Sequence, residues 1–135
     1  PGTVKVVTRK DGKEVMTKEI HTAGAPAQIR LTADRIRISA DGSDLSFVTA
    51  EVLDKDGNLC PNADNRIDFS VEGKAFIAGT DNGNQISLEN FKSPHRKAFY
   101  GKCLAVLQNN GEKGNIRLRA SSAGIEEAVI KLQSR

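Results

Sequence analysis

The sequence predicts an all-β protein: an antiparallel β-sandwich with Greek-key connections and seven or eight strands, preceded by a β-hairpin. Three observations predict it. Polar and apolar residues alternate with a period of two through most of the chain, as strands with one wet and one buried face require. Asp-Gly and Asn-Gly turn signals separate the alternating runs. No amphipathic stretch of ten or more residues supports a helix. With 135 residues, 38% apolar and 27% charged, the chain is long enough to bury a core without disulfides or metals.

Taken in order, Thr3–Thr8 and Glu14–Ile20 form a hairpin around Asp11-Gly12. Thr22-Ala23-Gly24-Ala25-Pro26-Ala27 reads as a linker of small residues. Ile29-Arg30-Leu31 and Ile36-Arg37-Ile38 make a broken first strand. Leu45–Leu53 is rich in apolar and β-branched residues and reads as a central strand. Lys55-Asp56-Gly57-Asn58 turns the chain. Arg66–Glu72 alternates without a fault, and Ala75–Ala78 is a short strand. Lys102–Gln108, Asn115–Ala120 and Glu127–Leu132 complete the set. The expected core is Val48, Ala50, Val52, Ile67, Phe69, Val71, Leu104, Val106, Ile116, Leu118 and Ile130. A lone two-stranded hairpin is marginal in water, so residues 1–22 need a surface to pack on.

The chemistry-bearing patterns are weak. The net charge of +3, spread along the chain, is no nucleic-acid footprint. No run of 18 apolar residues marks a transmembrane helix. The start, Pro1-Gly2-Thr3, reads as that of an excised piece or a processed chain. Cys60 and Cys103 leave one disulfide open, but both lie in strand-like apolar contexts where free cysteine acts as a small hydrophobe. His21 and His95 lack metal-ligand spacing. Asp54-Lys55-Asp56-Gly57-Asn58 begins like a calcium loop, yet its sixth position is Leu59 and its twelfth Asn65, which breaks the pattern. Gly79-Thr80-Asp81-Asn82-Gly83-Asn84 follows a strand but lacks the spacing of a phosphate loop. No G-x-S-x-G elbow or carboxylate pair specifies an enzyme, and no cofactor is expected.

The stretch from Asp81 to Lys97 is the longest without strand periodicity, and long loops on rigid sandwiches carry binding. Within and beside it, His95-Arg96-Lys97 lies near Phe99 and Tyr100. Phe99 is expected to anchor the loop in the core while the cations face water.

A joint pattern runs through Leu31-Thr32-Ala33-Asp34-Arg35, Ala40–Thr49, Val52–Asn58, Pro61–Asn65, Phe69–Gly73, Ala78–Gly83, Phe91-Lys92, Arg96–Phe99, Gly101-Lys102-Cys103 and the Gly-Asn-Ile-Arg-Leu-Arg-Ala strand. It resembles the C-terminal immunoglobulin-like domain of glycoside hydrolase family 2 enzymes, chiefly bacterial β-galactosidases. It is more distantly similar to the immunoglobulin-like repeats of the invasin and intimin type. Residues 1–27 resemble the last hairpin and linker of the sandwich domain that precedes this one in such enzymes, with 28–135 as the immunoglobulin-like domain.

The resemblance implies a non-catalytic accessory domain in a carbohydrate-metabolising parent. The two catalytic glutamates of that family lie on a barrel absent from these residues. Its expected partners are that barrel and the preceding sandwich of the same chain, with carbohydrate as a further candidate. Neither nucleic acid nor membrane insertion is expected, and the parent is expected in the periplasm or outside the cell. The expected docking or cleft-facing segment is Asp81 to Phe99, with Asp81, Asn82, Asn84, Phe91, Arg96 and Phe99 as its residues. The alternatives are a stand-alone carbohydrate-binding module and a surface adhesion repeat.

Overall fold

The computed structural model describes residues 1–135 and contains eleven strands and no helix. They are β1 (Thr3–Lys10), β2 (Lys13–His21), β3 (Gln28–Ala33), β4 (Arg37–Ile38), β5 (Leu45–Leu53), β6 (Arg66–Gly73), β7 (Ala75–Asp81), β8 (His95–Lys97), β9 (Lys102–Asn109), β10 (Gly114–Ser122) and β11 (Ile125–Ser134). β1 and β2 pair only with each other. The rest form a sandwich. One sheet has the order β7-β9-β5-β3 and the other β11-β10-β6-β8, with β4 added alongside β11. A single parallel pair, Gln28 with Glu126, joins the two sheets along one side.

The first strand is broken because it changes sheets. β3 runs antiparallel to β5 as far as Ala33, opposite Val48. Asp34 then turns back, its Oδ1 accepting the Phe47 N–H at 2.8 Å. β4 resumes against β11, with Ile38 opposite Ser134. The sandwich thus holds nine strands, the additions being the two-residue β4 and the three-residue β8.

Alternation along each strand aims one set of side chains into the core. Val48, Ala50 and Val52 of β5 meet Ile67 and Phe69 of β6, Ile116, Leu118 and Ala120 of β10, and Ile29 and Leu132. Two expected core residues are corrected: Leu104 and Val106 face outward, and β9 buries Cys103, Ala105 and Leu107 instead. Register is the reason. Ala50 stands opposite Cys103 and Val48 opposite Ala105, and directly opposed residues share a face. Val71 and Ile130 are only partly buried, packed against the core's rim. Cys60 and Cys103 are both free and buried. Burial pushes the Cys103 thiol up to about 12, as desolvation disfavours a thiolate.

At one end of the sandwich the buried amide of Asn109 ties the chain together. Its Nδ2 donates to the Ser134 hydroxyl at 2.7 Å and to the carbonyls of Lys74 and Glu112. The opposite end carries the long loops.

Candidate functional site

The loop end is assembled by strand register. Gln28 lies opposite Leu53, Glu51 opposite Lys102, Asp81 opposite Leu104, and Arg66 opposite Lys97. These pairs bring the 22–27 segment, the 54–65 loop, the 82–94 loop and the 98–101 turn to one end, where the hairpin also attaches.

The 22–27 segment is fastened rather than free. The carboxylate of Asp54, buried at the end of β5, accepts the Gly24 N–H at 2.8 Å through Oδ2. Its Oδ1 accepts the N–H groups of Asp56 and Asn58. The Gln28 side chain donates to the Asp54 carbonyl, and the Ala27 N–H to that of Leu53. Hydrogen bonds from Gly24 and Asn58 hold the Asp54 carboxyl well below the usual carboxylate range, because they favour its charged form. The motif that opens like a calcium loop is a turn centred on this aspartate.

The 82–94 loop spans the open side of the sandwich, from the β7 edge of one sheet to the β8 edge of the other. Asp81 closes β7, and its Oδ1 accepts the N–H groups of Asn82 and Gly83. Asn82 donates from Nδ2 to the Lys97 carbonyl at 3.0 Å and accepts the Asn84 N–H. Asn84 in turn accepts the Ile86 N–H. These side chains shape the loop.

Its anchor is not aromatic, which corrects the expectation for Phe99 and, of the cations, for Arg96, while Lys97 faces water as expected. Phe91 is 62% exposed and Phe99 half-buried, whereas Arg96 is only 1% exposed. Arg96 lies opposite Ile67, an inward residue of β6, so its side chain must point inward too. It donates to the carbonyls of Thr80 (2.7 Å), Asn90 (3.1 Å) and Glu89 (3.2 Å). The Glu89 carboxylate lies 3.7 Å away, and the Phe91 ring sits 5.1 Å from the guanidinium carbon. One guanidinium therefore caps the outward carbonyl of Thr80 on the edge strand β7 and two carbonyls of the loop, which also blunts that edge.

The next turn, Phe99-Tyr100-Gly101-Lys102, is a two-residue hairpin closed by reciprocal bonds between Phe99 and Lys102. Both central residues have positive φ, Tyr100 at 49° and Gly101 at 78°, as this turn demands. Phe99 and Tyr100 rings lie 4.4 Å apart. Asp64, Asn82, Asn84, Leu88, Lys97 and Phe99 line an open cleft of about 500 Å³. A second cleft of about 650 Å³ lies between the hairpin and the 58–65 segment, with Glu19, His21, Asn62 and Asp64 in its walls.

The structure therefore brings Asn82, Asn84 and Phe99 to one cleft and puts Arg96 beneath it. Asp81 is spent on a turn, and the Phe91 ring lies beside the Arg96 guanidinium. Asp54 and Glu89 escape sequence reasoning as site residues, and Tyr100 figures there only as a neighbour of the His95-Arg96-Lys97 run. Only the Asp-x-Asp-Gly spacing hinted at Asp54. Two further carboxylates of the sandwich are held in their charged form. The Arg35 guanidinium and the Ser39 N–H lower Asp44 to about 2. Burial raises the Glu51 carboxyl, but Arg30 and Lys102 outweigh it and hold it low. A general acid at neutral pH needs the reverse shift.

Residues 29–131 match the family model for glycoside hydrolase family 2 C-terminal domain 5. The chain is 60% identical over 134 residues to the β-galactosidase BoGH2A of Bacteroides ovatus, covering 99% of this chain and 16% of that protein. A crystal structure of a glycosyl hydrolase family 2 member from Bacteroides cellulosilyticus superposes with a TM-score of 0.91 at 36% identity, over 99% of this chain and 17% of that one. A C-terminal fragment of intimin shares the fold alone, with a TM-score of 0.55 at 16% identity over 80% of this chain and 33% of that fragment. The chain thus spans about one-sixth of the length of the relative and of the hydrolase structure it matches. On the match over residues 29–131, it belongs to the glycoside hydrolase family 2 C-terminal domain 5 family.

Proposed function

We propose that this chain is the non-catalytic, bracing C-terminal part of a β-galactosidase-like retaining glycosidase. The observation that carries the reading is the pairing of 60% identity to a β-galactosidase with coverage of only 16% of it. In this reading the chemistry belongs to a barrel elsewhere in the parent, and the sandwich holds that barrel and a preceding sandwich in place. The downward shifts of Asp41, Asp44, Glu51 and Asp54 support it, since none is tuned as an acid for glycoside cleavage.

Residues 1–27 belong, in the same reading, to the preceding sandwich. Val4 pairs with Ile20, Val6 with Lys18 and Thr8 with Met16, which places Val4, Val6, Met16 and Ile20, with Thr8 and Lys18, on one face of the hairpin. The four apolar ones are all exposed. A sheet face of that composition is built to be covered, and the family match begins at residue 29, beyond the hairpin. The parent is assigned to the periplasm or the exterior, which cell fractionation tests.

The deciding experiment removes residues 28–135 from the parent enzyme. The expected outcome is a lower melting temperature, with galactoside cleavage retained per folded molecule. Galactoside hydrolysis by the purified 135-residue chain, or an unaltered melting temperature after the deletion, overturns the reading.

A further inference from the structure

Three large side chains with apolar bodies stand in solvent at the loop end: Ile86 is 85% exposed, Leu88 100% and Tyr100 68%. The backbone beneath each is fixed by hydrogen bonds or turn geometry. The Ile86 N–H is bound by Asn84, itself bound by Asn82. Leu88 adjoins Glu89, whose carboxylate accepts the Lys97 N–H and whose carbonyl accepts from the buried Arg96. Tyr100 occupies a left-handed backbone conformation, φ 49°, which is unusual for a bulky residue. Leu88 and Phe99 line the same cleft, and the Phe99 ring packs tilted against that of Tyr100, so Leu88 and Tyr100 share one surface, with Ile86 two residues along the same loop.

We propose that Ile86, Leu88 and Tyr100 dock into apolar sockets on another folded domain of the same polypeptide. The proposal deepens the accessory reading and rests on it. Three points select this occupant. More than four-fifths of the β-galactosidase relative lies outside the matched 16%, so such a polypeptide has ample surface to offer. The hairpin, with its own uncovered apolar face, leaves from this same end. Ile86 and Leu88 are branched aliphatic side chains without hydrogen-bonding groups, which suits a protein socket. A sugar ring is gripped by flat aromatic faces and polar groups, and of these three side chains only Tyr100 has either.

The test uses the intact parent enzyme. Hydrogen exchange across residues 84–90 is followed in the wild type, in I86S/L88S, and in I36S, a control at an exposed isoleucine near the opposite end of the sandwich. The expected result is protection at 84–90 in the wild type and exchange at least about tenfold faster in I86S/L88S, with I36S unchanged. Free-solution exchange at 84–90 in the wild type overturns the proposal and needs no variant. Dissociation of an oligomer by I86S/L88S overturns it in favour of a second copy. Protection that arises only when a galactoside or polysaccharide is added overturns it in favour of sugar. If deletion of residues 28–135 destabilises the parent while I86S/L88S does not, the docking claim fails and the accessory reading stands. If neither change has an effect, the accessory reading fails as well.

Discussion

Asp54 and Gly24 are thirty residues apart in the chain, yet the Gly24 N–H donates to Asp54 Oδ2 at 2.8 Å. That bond fastens the segment between hairpin and sandwich to the end of β5. Substituting Asp54→Ala removes the acceptor of the Gly24, Asp56 and Asn58 amides together. Faster hydrogen exchange at all three is expected, with a melting temperature lower by several degrees. Unchanged protection at Gly24 would show that the segment is held by other contacts.

Arg96 tests the loop's anchor. Arg96→Met keeps most of the side chain's volume but strands the Thr80, Glu89 and Asn90 carbonyls. Leaving one buried and two partly buried acceptors unpaired predicts a loss of about 3 kcal/mol, read from the urea midpoint. Arg96→Lys should restore little, because an ammonium cannot span three carbonyls as a planar fork does.

The two faces of β9 predict opposite outcomes for two leucines of one strand. Leu107 is fully buried and Leu104 faces outward. Leu107→Ala should cost about 2–5 kcal/mol, and Leu104→Ala well under half of that. Equal losses in chemical denaturation would contradict the register with β5.

Gly101 combines positive φ with close packing. A Cβ there would collide with the Cys60 carbonyl oxygen. Gly101→Ala is therefore expected to cost about 2 kcal/mol or more and to loosen the turn that presents Tyr100. Near-wild-type thermal stability would count against this geometry.

Acid should weaken the fold in a defined window. Asp44 titrates at about 2 in the folded chain, with Arg35 as the main cause, against about 3.9 unfolded. A lowered folded value stabilises above the unfolded one and is lost as pH falls through the folded one. Asp54 is shifted the same way. The melting temperature should hold from neutrality to about pH 5 and fall between about pH 4 and pH 2. Asp44→Asn should flatten part of that fall, and an identical profile would remove Asp44 from the account.

The strands and turns were legible because they are local. Alternation over Arg66–Glu72 and the apolar, β-branched composition of Leu45–Leu53 place both strands with their observed starts, and Asp11-Gly12 announces its hairpin. Family membership was legible too, since turn residues and strand pattern recur together along the chain. The inner face of β9 was not, because Lys102–Gln108 is apolar on both faces and only pairing with β5 chooses between them. β8 is too short to show a period, and it exists because β6 offers an edge at Ile67. Arg96 looks in sequence like any solvated cation, and strand pairing alone turns it inward beneath the loop. Local side-chain chemistry determined the elements; the pairing of distant residues decided which face is wet, what holds the 82–94 loop, and which side chains stand ready for a partner.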